Sequence, residues 1–127
     1  MSEESEMGIN SRKTNPRLLT LVQHLKDASR INEAPIWRDI ALRLESPASR
    51  WAEVNVGNLD RHANEDDVIV VPGKLLGAGE LRKKVTVAAF RCTGQAKEKV
   101  AGAGGRSLSL EELVENNPKG SKVRIMG

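Results

Sequence analysis

The chain has 127 residues with a formal net charge of +3, and that length suits one domain with a real core rather than two. Its apolar runs are all too short to cross a bilayer, and its single cysteine, Cys92, excludes an intramolecular disulfide and a multi-cysteine zinc knuckle. With one Phe, two Trp and no Tyr, the core must be mostly aliphatic, which argues against modules that stack RNA bases on exposed aromatic platforms.

Residues 1–10, MSEESEMGIN, are acidic and polar. They predict a disordered tail over 1–11 ahead of one domain over 12–127, and they fit neither a signal nor a transit peptide, so a cytoplasmic protein is expected. The chain then turns basic at Arg12 and Lys13, and Asn15-Pro16 supplies an N-cap followed by a first-turn proline. Leu18, Leu21, Val22, Leu25 and Ala28 recur at helical spacing, so the first helix is amphipathic with a basic entry. Its free backbone N–H groups, beside Arg12, Lys13 and Arg17, suit a phosphate; the alternative is a helix with ordinary surface charges.

A second helix starts near Pro35, buries Ile36, Ile40 and Leu44 with Trp37 and Ala41 beside them, and ends before Ser46-Pro47. Residues 46–51 are too rich in turn formers for regular structure, and Ala52 to Val56 alternates like a short strand. The pair Arg50-Trp51 either grips RNA or contributes its indole to the core. Gly57 to Ala63 reads as a short helix with Leu59 inward and Asp60, Arg61 and His62 outward.

The stretch Val68 to Phe90 organises the rest. Val68–Val71 and Val85–Phe90 are apolar, β-branched runs that predict buried strands. Between them Pro72-Gly73 breaks the first strand, and Gly77-Ala78-Gly79 with Lys74, Arg82, Lys83 and Lys84 forms a mobile or ligand-ordered basic loop. Its length allows either a hairpin or a crossover. A short helix follows from Gly94 to Ala101, a capping box at Ser109 to Glu112 opens another, and Ser121 to Met126 alternates as a final strand. Helices followed by alternating strands and helices imply an α/β domain.

Net charge runs −3 over 1–11, +4 over 12–52, −4 over 53–71, +5 over 72–100 and +1 over 101–127. Two basic segments on one surface would draw a polyanion; on separate faces they would be solvated charge. Catalytic patterns fail: Arg82 stands where a dinucleotide fingerprint needs its third glycine, and Gly73-Lys74 lacks the other P-loop residues. His24, His62 and Cys92 share no spacing, and Glu65-Asp66-Asp67 reads as a solvated turn rather than a metal site. No enzyme, cofactor or metal is expected.

Five segments then carry a resemblance: Lys13 to Leu18 (KTNPRL), Ala52 to Gly57 (AEVNVG), Val70 to Gly77 (VVPGKLLG), Val85 to Ala89 (VTVAA) and Glu115 to Ser121 (ENNPKGS). In this order and spacing the chain, from about Arg12 onward, resembles the archaeal form of the large-subunit ribosomal protein eighteen-e family, a relative of bacterial large-subunit protein fifteen. The resemblance implies a single compact α/β domain, N-terminal helices followed by irregular β-β-α turns, that binds and stabilises folded large-subunit ribosomal RNA. It implies RNA contacts at Arg12, Lys13, Thr14, Asn15 and Arg17, at Ser49, Arg50, Trp51 and Asn55, and at Lys74. Arg82 and Lys83, from the charged loop, complete the candidate set. The chain departs from the family pattern at Ala48, where a basic residue is usual, and at Trp51, where a histidine is usual. Expected partners are ribosomal RNA and neighbouring large-subunit proteins, with no membrane, DNA or small-molecule substrate. The competing expectation is a basic module that binds an acidic protein.

Overall fold

A computed structural model describes residues 15–127. The expected acidic tail, and with it Arg12, Lys13 and Thr14, lies outside the described residues. Helix α1 spans Pro16–Asn32, with Asn15 as its N-cap and Glu33 closing it at φ 53°. Helix α2, Pro35–Glu45, stops where Ser46 turns extended before Pro47. One turn of 3₁₀ helix, Ala48–Arg50, leads into β1, Ala52–Asn55. Then come α3 (Val56–His62), β2 (Val68–Leu76), β3 (Thr86–Cys92), α4 (Gly94–Gly102), β4 (Arg106–Ser109), α5 (Leu110–Asn116) and β5 (Val123–Ile125).

The five strands form one parallel sheet in the order β1-β2-β3-β4, with β5 also on β2. β5 pairs with Val68–Val70 and β1 with Gly73–Leu76, so the two short strands share one edge of β2 end to end. All-parallel pairing requires both sheet faces to be covered, and the alternation along β2 and β3 shows how this is met. Val70, Ala88 and Phe90 join Leu21, Leu25, Trp37, Ile40 and Leu110 in a core beneath α1, α2 and α5. Ile69, Val71, Val87 and Ala89 join Leu59, Ala96 and Val100 in a second core beneath α3 and α4. Each fully buried Leu or Ile contributes about 1.5–3 kcal/mol, so these two cores hold the sheet in place.

Two sequence expectations change here. Pro72-Gly73 does not break the strand: β2 runs on to Leu76, with an extra residue accommodated between Val71 and Lys74 as a bulge. The bulge absorbs a residue that cannot donate a ladder hydrogen bond. The connection from β2 to β3 is a crossover, so Lys74 near the carboxyl end of β2 and Arg82 to Lys84 before the amino end of β3 lie at opposite edges of the sheet. The basic loop is therefore split in two. Its glycine half is fastened, since Lys99 Nζ donates to the carbonyls of Gly77 (2.7 Å) and Gly79 (2.6 Å), Ala78 N–H to Asn55 Oδ1 (3.2 Å), and Gly57 N–H to Ala78 O (3.0 Å).

Candidate nucleic-acid interface

The carboxyl edge of the parallel sheet collects the amino ends of α3, α4 and α5, which follow directly from β1, β3 and β4. The first turn of α1 joins them there, because Arg17 Nη1 donates to the carbonyl of Phe90 near the end of β3 (2.7 Å). Helix dipoles with their positive ends at one sheet edge make it the natural side for an anion.

Asn15 and Arg17 both make intramolecular contacts. Asn15 Oδ1 accepts from the backbone N–H groups of Arg17 (3.0 Å) and Leu18 (3.3 Å), and its carbonyl accepts from Leu19. Pro16 has no N–H, so the free donors expected at this helix start are already used. Arg17 forks onto Glu111 through two bonds of 3.2 Å and lies 4.3 Å above the Phe90 ring. Desolvation, the largest single effect, pushes the Glu111 carboxyl upward, but the Arg17 hydrogen bond, a backbone hydrogen bond and the nearby Arg17 charge together outweigh it and leave the group below its ordinary value. Arg17 thus ties α1 to β3 and α5, with about two-fifths of its side chain still open to solvent (42%).

Trp51 is half-buried. Its ring meets Phe90 edge-on at 5.3 Å, and Nε1 donates to the Ser46 carbonyl (3.0 Å), which places the indole on the side of the core. Ser49 and Arg50 remain exposed in the adjoining turn. Lys74 stands opposite Arg91 in the β2–β3 register. Asn55 spends its side-chain oxygen on the Ala78 amide and keeps its amide donors.

Arg82 and Lys83 belong to the other edge. Asp60, expected outward, is buried (8% exposed) because Arg82 reaches it through both its backbone N–H (2.9 Å) and Nη2 (2.8 Å). These bonds hold the Asp60 carboxyl below its ordinary value and the Arg82 guanidinium above its own. Lys83 Nζ caps the Ala63 carbonyl (2.8 Å) at the end of α3. The acids of this edge are engaged too: Glu65 accepts from Lys84 N–H, and Asp67 from Asn64 N–H and Arg124.

Two further cations at this edge, Arg91 and Lys97, are not among the residues expected from the sequence. Both are exposed and, like Arg50 and Lys74, make no ion pair among the described residues. A cation in the last positions of a buried strand was the available signal for Arg91, because such a residue must leave the core at the carboxyl edge. His24 sits in α1, His62 at the end of α3 and Cys92 at the end of β3, so the geometry assembles no nucleophile and base from them.

Fold and site together define a three-layer α/β domain with a cationic carboxyl edge and no assembled nucleophile and base among the described residues. Residues 11–127 match the family model described as ribosomal protein 60S L18 and 50S L18e. The large ribosomal subunit protein eL18 of Methanosphaerula palustris is 53% identical over 115 residues, covering 91% of this chain and 95% of that one. Its counterpart from Methanococcus maripaludis is 51% identical over 113 residues (89% and 94%), and that from Haloarcula marismortui 50% over 114 (90% and 97%). The chain belongs to the L18/L18e ribosomal protein family.

Proposed function

We propose that the carboxyl edge of the sheet is the surface by which this protein holds folded large-subunit ribosomal RNA. As a member of its family the chain is a structural constituent of the large ribosomal subunit and not an enzyme; it works in the cytoplasm, in the ribosome, with ribosomal RNA and ribosomal proteins as partners. The observation that carries the proposal is the set Arg50, Lys74, Arg91 and Lys97, four cations without an ion pair among the described residues. Three of them lie where four helices present their amino ends. Phosphates would displace counterions from these side chains, while the two aliphatic cores fix the spacing between them. Arg12, Lys13 and Thr14 enter the proposal by sequence alone, directly ahead of the α1 cap. Asn15, Arg17 and Asn55 shape the surface, and Trp51 supports the turn that presents Ser49 and Arg50. Arg82 and Lys83 are left to the opposite edge.

On this reading no membrane, DNA or small-molecule substrate is engaged, and neighbouring large-subunit proteins cover what RNA does not. The test is binding of the purified chain to a folded large-subunit ribosomal RNA fragment and to random RNA across a salt series. Preference for the ribosomal fragment, with affinity falling steeply as salt rises, is expected. Equal affinity for both RNAs, or a flat salt response, would reject the proposal in favour of an acidic protein partner.

A further inference from the structure

At the carboxyl ends of β3 and β4 the chain leaves the sheet in opposite directions. α4 follows β3 onto the face of the second core, carrying Ala96 and Val100, while α5 follows β4 onto the face of the first, carrying Leu110 and Leu113. Adjacent parallel strands whose helices depart to opposite faces open a crevice between their ends, the position at which open α/β sheets take their ligands. A cavity of about 540 Å³ lies there, a size usual for small-ligand sites. Arg91, Cys92 and Lys97 line its β3–α4 side and Ser107 and Ser109 its β4 side, and Arg17 of α1 also belongs to the lining.

The lining chemistry is selective. Arg91 and Lys97 make no ion pair among the described residues, so both are available to one anionic group. Arg17 already uses its fork on Glu111, Nη1 on the Phe90 carbonyl and one guanidinium face on the Phe90 ring, and with 42% of its side chain exposed its other face is the surface on which a base would stack. Ser107 and Ser109 offer hydroxyls, the Ser109 oxygen also capping Glu112 N–H (3.1 Å). Glu112 is the one carboxylate of the lining, and one of its oxygens accepts from Ser109 N–H (2.9 Å). Two cations without an ion pair, two hydroxyls and a planar guanidinium in one lining match a nucleoside phosphate better than a bare ion or an apolar ligand.

We infer that the crevice between the ends of β3 and β4 takes a single nucleotide unit, its phosphate on Arg91 and Lys97 and its base on Arg17. The inference deepens the proposed RNA contact and rests on it for the source of that nucleotide, an unpaired residue of ribosomal RNA. A free mononucleotide has the same chemistry and is the second source to be tested.

Cys92 is the only cysteine of the chain and lies in the crevice, partly exposed, so its rate of alkylation reports occupancy without a label. The thiol is measured with and without a folded ribosomal RNA fragment, and separately with adenosine and guanosine monophosphate, while RNA binding is followed in parallel by gel shift. Alkylation slowed by about tenfold in the bound complex is expected, because access controls thiol reactivity. That protection should be lost in an Arg91→Gln/Lys97→Gln double variant that still binds RNA more weakly, and kept in an Arg43→Gln control on α2. Protection by a mononucleotide but not by RNA would keep the crevice and change its source. Tight RNA binding with Cys92 alkylated at the free rate, and no effect of mononucleotide, would overturn the inference and leave the RNA interface standing. Absence of RNA binding altogether would instead remove the proposed function.

Discussion

Asp60 shows how far a single side chain departs from its local pattern. Its neighbours Arg61 and His62 are exposed, yet Asp60 is buried at the end of α3 because Arg82, 22 residues on, supplies two donors. No spacing rule reaches across a crossover, so this pair could not be read from sequence. The caps could, since Asn15-Pro16 and Ser109–Glu112 are complete within four residues and both are observed. The Asp60 pair also makes a prediction. Its carboxyl is held below the ordinary value in the folded protein, first by the Arg82 side chain and then by the Arg82 backbone. A lowered folded value means that the pair stabilises the fold above the unfolded carboxyl pKa, near 3.9, and that this contribution is lost as pH falls through the folded value. Asp60→Asn should therefore lower the denaturation midpoint at neutral pH, with the gap to the parent chain closing below about pH 4. A gap that stays constant down to pH 2 in thermal or urea melts would show that Asp60 does not titrate with folding.

The elements themselves were largely visible as patterns. Leu18, Leu21, Val22, Leu25 and Ala28 are all buried, as their helical spacing requires, and both apolar runs of the central stretch are strands. What the patterns could not give was direction. A hairpin and a parallel crossover need the same apolar residues, and β4, only Arg106–Ser109, hides between a glycine run and a capping box. The Pro72-Gly73 bulge misled for a related reason: proline and glycine usually end a strand, but here glycine is required by the partner. A Cβ on Gly73 would sit 2.1 Å from the Ala52 carbonyl oxygen, inside β1. Gly73→Ala should push β1 away and cost about 2 kcal/mol or more, within the range of overpacked core sites. Gly94, at the start of α4, has open space around it, so Gly94→Ala should stabilise by about 0.4–1 kcal/mol through the unfolded state. Equal and small shifts of the urea midpoint for both variants would mean that β1 is free to move.

At the scale of the whole molecule, charge alone does not choose the RNA face. The amino edge holds Arg61, Arg106 and Lys122, none in an ion pair among the described residues, besides Arg82, Lys84 and Arg124, which are paired. Counting cations by segment, as a sequence permits, therefore leaves two candidate surfaces, because strand direction decides which charges share an edge. Two physical differences separate them. The amino edge carries four acids, Asp60, Glu65, Asp66 and Asp67, among its cations, against Glu111 (paired with Arg17) and Glu112 in the first turn of α5 at the carboxyl edge, and the carboxyl edge adds the positive ends of helix dipoles to its cations. A charge-matched comparison tests this. Lys74→Gln and Arg91→Gln should each reduce the slope of log affinity against log salt by about 1, the signature of one lost phosphate contact. Arg106→Gln and Lys122→Gln remove the same charge from the opposite edge, so they should leave the slope unchanged and lower affinity only through the weak, screened field of the whole protein. The reverse pattern would move the ribosomal RNA to the amino edge and hand the carboxyl edge, with its glycine loop, to a neighbouring protein.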